Sequence, residues 1–179
     1  MVQFTEKKKK LLIIDFILMI VLTAIDQGAK YWAVLRLKDK PVIPIIQDVL
    51  ELNYLENRGA AFGLLQNQKV FFVLIAVVIL FVIGYVLFMM PDDVKYNKMH
   101  ILLVVMASGA CGNMIDRIRT DYVVDFISFV IIHFPIFNIA DIYVTVSTFL
   151  FIILFLFVYK ENDFAFLSFG QQKKYREIK

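Results

Sequence analysis

Three long stretches of this chain contain no Asp, Glu, Lys or Arg: Val70 to Met90, Met99 to Ile115 and Ile142 to Tyr159. Each approaches the ~20 residues that carry a helix across a hydrocarbon core. A soluble domain is about 45–50% apolar, whereas 60% of these 179 residues are hydrophobic and the mean hydropathy is +0.74. The chain is therefore an integral membrane protein. About half of it is committed to spans, so no room remains for a separate soluble catalytic domain of about 100–150 residues. Any chemistry has to sit at or inside the membrane.

A fourth span is expected at the beginning. Lys7 to Lys10 followed by an apolar stretch resembles the charged and hydrophobic parts of a cleavable signal. Asp15 interrupts that stretch, and Leu22-Thr23-Ala24 puts a large residue where a small one is wanted, so the segment is expected to be retained. The expectation is one membrane domain over 1–179, with spans at about 11–35, 70–90, 99–117 and 136–159 and an outer loop at about 36–69. Four spans put both termini on one side. Eleven of the 19 basic residues flank that side, four before Leu11, two between Pro91 and His100 and five after Tyr159, which makes it cytoplasmic by the positive-inside rule.

The outer loop is not polar linker. Val42, Ile43, Ile45, Ile46, Val49, Leu50, Leu52, Tyr54 and Leu55 give it the character of short strands. Pro41 and Pro44 confine part of it to edge or irregular pairing, so a small sheet resting on the lipid surface is expected. The tail from Lys160 to Lys179 mixes Phe164, Phe166, Leu167 and Phe169 with Lys173, Lys174 and Arg176, a composition suited to the cytoplasmic headgroups.

Several functions are excluded on inventory. A net charge of +3, scattered along the chain, gives no nucleic-acid footprint. The single cysteine, Cys111, allows no internal disulfide, and with only His100 and His133 no zinc-protease pattern exists. Cys111 reads as a packing residue and His133 as a loop residue; Ser108, Ser128 and Ser147 have no nucleophile motif. No metal and no cofactor are expected.

The charged residues within the spans are the informative ones, because each costs roughly 2.5–3.5 kcal/mol at the centre of a bilayer. Asp26 lies near the outer end of the first span, with Lys30 one turn further on. An exposed i,i+4 pair would be worth only about 0.3–0.5 kcal/mol; the sequence leaves open whether the two anchor the span end or serve a site. Span three ends in Ser108-Gly109-Ala110-Cys111-Gly112-Asn113-Met114-Ile115-Asp116-Arg117. Its small residues permit close helix approach, and Asp116 with Arg117 reads as a helix-end ion pair. Asp141 follows in Phe137-Asn138-Ile139-Ala140-Asp141; with a helix starting near Ile136 it would lie about 7–8 Å inside the outer end.

Beside a second acid, a carboxyl at that depth shares a proton, one partner serving as base and the other as acid. Such a pair activates water without a metal. Asp116 and Asp125 are both candidates for the partner of Asp141, and spacing does not choose between them. A small transporter or proton-coupled channel subunit would also carry membrane carboxylates. It would distribute them through the depth, whereas Asp26, Asp116, Asp125 and Asp141 gather toward one surface and only Asp15 approaches the other. A non-catalytic assembly or lipid-binding protein would tolerate Asp141→Asn.

Five ordered blocks carry a resemblance. They are Asp26-Gln27-Gly28-Ala29-Lys30; Asn57-Arg58-Gly59-Ala60-Ala61-Phe62-Gly63; Gly112-Asn113-Met114-Ile115-Asp116-Arg117; Val123-Val124-Asp125-Phe126; and Phe137-Asn138-Ile139-Ala140-Asp141. In these blocks the chain resembles lipoprotein signal peptidase, also called signal peptidase II. The resemblance implies a four-helix membrane bundle with a small extracytoplasmic β-cradle and an interfacial loop, with both termini in the cytoplasm of a bacterium. It implies an aspartic endopeptidase of the cytoplasmic (inner) membrane, active near the outer leaflet. The substrate would be a prolipoprotein whose cysteine already carries a diacylglyceryl group, cut just before that cysteine. By the family's pattern the catalytic pair is Asp125 and Asp141. Asn57, Asn113, Arg117 and Asn138 would orient substrate and dyad, Asp26 and Lys30 would support them from the first span, and Gly59, Asp116 and Ala140 fall in the same blocks as supporting residues. The partners implied are lipid-modified prolipoproteins and membrane phospholipid, without nucleic acid, for a monomer that the peptide globomycin would block. Ser108 stands where that family often has glycine, and the connection from Asp125 to Asp141 is shorter than in many members.

Overall fold

The computed structural model describes residues 5–59 and 66–167. Among them, four helices are long and apolar enough to cross a membrane. They are α1 (Glu6–Leu37), α2 (Lys69–Met89), α3 (Asn97–Thr120) and α4 (Ile139–Phe157). Their side chains report the solvent: Phe81 on α2 is 75% exposed and Phe157 on α4 80% exposed, which only a hydrocarbon surround makes favourable. α3 is the central helix, packed on each of the other three.

Small residues decide the closest approach. A Cβ at Gly109 would strike the Ala140 carbonyl and stand 2.8 Å from Val144 Cγ2, so only glycine lets α3 and α4 cross here. A Cβ at Gly112 would strike Asp26 Oδ2, so the same helix face admits α1. This is the small-residue packing that the Ser108 to Gly112 segment suggested.

Three strands cover one end of the bundle. β1 (Ile43–Ile46) and β2 (Leu50–Asn57) come from the outer loop, and the antiparallel order is β1-β2-β3. β1 is the edge strand and its register shifts between Pro44 and Ile46, the irregularity expected of a strand proline. β3 (Val123–Phe129) pairs with β2, placing Asp125 opposite Leu55. The sequence suggested strands only in the outer loop; β3 is the part it did not reveal. Its residues are buried on both faces, so Val123 to Phe126 reads as one apolar run with a single acid. Ala33, Leu37, Val124 and Phe126 pack the sheet onto the end of α1.

At the other end, the Thr5 hydroxyl donates to Asp92 and Lys95 pairs with Asp163 at 2.5 Å. The chain start, the α2–α3 connection and the residues after α4 therefore meet at one end, opposite the sheet. Tyr96 stacks on Tyr159 and meets Phe166 edge-on there. Asp15 is not isolated but accepts from buried His100 Nδ1 at 2.8 Å. The basic tail beyond Leu167 and the Ala60 to Gly63 part of the second sequence block lie outside the described residues.

Candidate active site

α4 begins at Ile139, three residues later than the sequence suggested. The reason is tertiary. Phe137 is tied to β3, its carbonyl accepting from the Phe126 and Ile127 amides at 3.0 and 2.9 Å, so the chain stays extended until Asn138. Asn138 then caps the helix: its Oδ1 accepts from the Asp141 amide at 3.0 Å, and its own amide donates to Asp141 Oδ2 at 3.1 Å. This reciprocal arrangement fixes Asp141 in the first turn of α4, not 7–8 Å down a helix already begun. A carboxylate there also sits at the favourable, positive end of the helix dipole.

Asn138 is fully buried and does more than cap. Its Nδ2 donates to Asp125 Oδ1 at 2.6 Å and to Asn113 Oδ1 at 3.2 Å. Asn57, at the end of β2, donates to Asp125 Oδ2 at 2.8 Å. Asn113, on α3, donates to Asp141 Oδ1 at 2.7 Å. Three asparagines thus hold two aspartates, one on β3 and one on α4, with Asn138 bonded to both. Asp125 is 1% exposed. Burial, and then the neighbouring Asp141 carboxylate, push its pKa up to about 7 against the hydrogen bonds from Asn57 and Asn138.

Asp116 has a different setting. Lys30 Nζ lies 3.0 Å from Asp116 Oδ2 and 3.0 Å from Asp26 Oδ2, and donates to Asn113 Oδ1 at 2.8 Å. Asp116 also accepts from the Val124 amide at 3.2 Å, tying α3 to β3. Its ion-pair partner is Lys30 and not Arg117, which corrects the helix-end pair suggested by their adjacency. The Asp26–Lys30 pair is equally unlike an exposed anchor: both side chains are buried, and Asp26 Oδ1 accepts from the Ala140 amide at 2.9 Å. Asp26 thereby satisfies one of the open amides at the start of α4 and positions the turn carrying Asp141.

Arg117 lies 4.6 Å over the Phe72 ring and donates to the Gly59 carbonyl at 3.2 Å, joining α3 to the start of α2 and the end of β2. The Gly59 amide in turn donates to Asn57 Oδ1 at 3.0 Å. All eleven residues singled out from the sequence therefore lie in one connected neighbourhood at the sheet end. Gln27 was missed: its Nε2 donates to Asp116 Oδ1 at 2.9 Å and to the Gly112 carbonyl at 3.2 Å. Its place between Asp26 and Lys30 in the first block was the available signal.

The two aspartates open into a cavity of about 510 Å³ lined also by Phe72, Arg117, Phe134, Ile142, Thr145 and Val146. Its polar end is the asparagine and aspartate cluster; its apolar side runs along exposed positions of α4, toward the space lipid would fill. Among the described residues no group of His, Cys, Asp and Glu has the arrangement of a metal site.

Comparison with known proteins bears on the family and the fold. The family model described as Signal peptidase (SPase) II matches residues 18–157. Lipoprotein signal peptidase of Streptococcus pyogenes serotype M1 is 39% identical over 159 residues, covering 88% of this chain and 99% of its own. That of Clostridium tetani (strain Massachusetts / E88) is 40% identical over 153 residues, 84% of this chain and 95% of its own. A solved bacterial membrane enzyme structure, obtained by the in meso method at 1.9 Å resolution, superposes with a TM-score of 0.70 at 34% identity, over 81% of this chain and 94% of that one. A multi-pass helical bundle with this relationship is an aspartic peptidase of the membrane. The chain belongs to the signal peptidase II family, whose members remove signal peptides from prolipoproteins.

Proposed function

We propose that Asp125 and Asp141 are the catalytic pair, and that the enzyme cuts a diacylglyceryl-modified prolipoprotein immediately before the lipidated cysteine. The observation that carries this reading is the shared Asn138, bonded to both carboxylates while Asp116 is taken up by Lys30. Asp141, at the helix N-terminus, is the ionised member and the base. Asp125, held neutral below about pH 7, is the acid. Water held between them loses a proton to Asp141 as it attacks the carbonyl carbon before the cysteine, and Asp125 hydrogen-bonds the carbonyl oxygen as negative charge develops. Collapse of the tetrahedral intermediate breaks the C–N bond, and the proton taken from water passes to the leaving amine. The products are the signal peptide and a chain beginning with lipid-modified cysteine. No acyl-enzyme and no metal is needed. Asn57, Asn113 and Arg117 orient the substrate and the two acids; Asp26 and Lys30 hold the frame.

The charge count supports termini in the cytoplasm, and the family resemblance supports a site near the outer leaflet of a bacterial inner membrane. A substrate anchored by its own acyl chains presents its scissile bond at that depth. The enzyme works as a monomer among phospholipids, and globomycin blocks it. The test is mass spectrometry of the products from a diacylglyceryl prolipoprotein and purified enzyme. Release of a fragment that begins at the modified cysteine supports the reading, and cleavage elsewhere or of unlipidated precursor at the same rate contradicts it.

A further inference from the structure

The apolar side of the active-site cavity carries one hydroxyl, that of Thr145. Thr145 follows Asp141 by one turn of α4, so it lies on the same helix face about 6 Å further along the axis. Ile142 and Val146 flank it and both are exposed. Thr145 itself stands at an exposed position, whereas the buried serines return to their own helices, Ser147 Oγ donating to the Tyr143 carbonyl at 2.5 Å and Ser108 Oγ to the Val104 carbonyl at 2.7 Å, and buried Thr23 donates across to the Ser108 carbonyl at 3.4 Å. The Thr145 hydroxyl makes no hydrogen bond with any described residue. A hydroxyl facing a cavity beside hydrocarbon is costly unless something in the cavity accepts from it.

The substrate chemistry supplies an acceptor at the right reach. From the scissile carbonyl carbon, the path runs through the cysteine nitrogen, Cα, Cβ and sulfur to the glycerol carbons and the nearer ester. That run of about eight bonds spans roughly 6–10 Å, depending on how many are gauche. With the scissile carbonyl at the carboxyl pair, the ester oxygens fall beside the next turn of α4. We propose that Thr145 is a specificity-determining residue whose hydroxyl donates to an ester carbonyl of the substrate's diacylglyceryl group, so that the enzyme distinguishes ester-linked from ether-linked lipid on the cysteine. The inference rests on the proposed function above and adds to it the lipid feature that the site reads.

The test pairs a change in the protein with a change in the ligand. Full-length enzyme in detergent is given a prolipoprotein carrying either a thioether-linked diacylglyceryl or the matching dialkylglyceryl group, which lacks the ester carbonyls. The wild type is expected to favour the ester in kcat/KM by about fivefold, the size of one neutral hydrogen bond, mainly through KM. In Thr145→Val the ratio falls to near one, and Thr145→Ser restores it. Thr145→Ala, which removes the same oxygen, behaves as the valine variant and substitutes for it should valine disturb the helix surface. A wild type without preference, or a valine or alanine variant that keeps the preference, overturns the proposal. A wild type that cuts neither substrate overturns the proposed function instead, so the two failures are distinguishable.

Discussion

Asn138→Ser separates two things that Asn138 does at once. Serine caps helices about as well as asparagine, so the bond to the Asp141 amide can be kept. It has no amide nitrogen, so the 2.6 Å bond to Asp125 Oδ1 is lost. That bond favours the ionised form of Asp125. A hydrogen bond to a charged group is worth about 1.5–3 kcal/mol, and one pKa unit corresponds to about 1.4 kcal/mol. With water partly replacing the lost donor, a rise of about one unit is expected. The sign follows from the assignment. The active form has Asp141 ionised and Asp125 protonated, so kcat/KM falls as Asp125 ionises, with its alkaline limb near pH 7 in the wild type. In Asn138→Ser that limb moves up, to about pH 8. Asn138→Ala should show the same displacement and also lose the cap, about 1 kcal/mol or roughly 2–4 °C in Tm. The assay is the pH profile of kcat/KM for each variant beside its thermal midpoint in the same detergent. A limb that stays in place or moves down in Asn138→Ser refutes the assignment of Asp125 as the acid.

Asp116→Asn should lower the thermal midpoint while leaving measurable cleavage, because Lys30 keeps Asp26 and the asparagine oxygen can still accept from Val124. Lys30→Met leaves Asp26 and Asp116 buried without their shared cation, and a loss of about 3–5 kcal/mol should appear as poor yield of folded protein. Gly112→Ala pushes a methyl group into the Asp26 carboxylate and should cost about 1–3 kcal/mol in thermal unfolding, with a larger fall in kcat as the first turn of α4 shifts. Chelation by EDTA should leave the cleavage rate unchanged, measured on protein dialysed against the chelator.

The four helices were legible because hydrocarbon demands long uncharged runs, and α2 departs from its expected bounds by a single residue at each end. β1 and β2 were legible from the β-branched outer loop. β3 was not, since a strand buried on both faces has no alternation to read, and Val123 to Phe126 looks like any short apolar segment. The start of α4 was misjudged for a tertiary reason: Phe137 bonds to β3, which nothing in the local sequence announces. The choice between Asp116 and Asp125 was likewise invisible to spacing. The proposed choice of Asp125 rests on Lys30 reaching from α1 to pair with Asp116, a contact 86 residues apart in the chain. The family motif favours Asp125 where spacing does not, and Gln27 stands in its first block.

The most direct measurement compares wild type, Asp125→Asn, Asp141→Asn and Asp116→Asn for cleavage of a diacylglyceryl prolipoprotein, with EDTA present and folding checked by thermal midpoint. Wild type and Asp116→Asn should cut before the lipidated cysteine, while folded Asp125→Asn and Asp141→Asn should lose at least about four orders of magnitude in rate, as removal of an essential catalytic group does. A folded Asp125→Asn that retains activity, or a folded Asp116→Asn that is inactive, would contradict the Asp125–Asp141 pair.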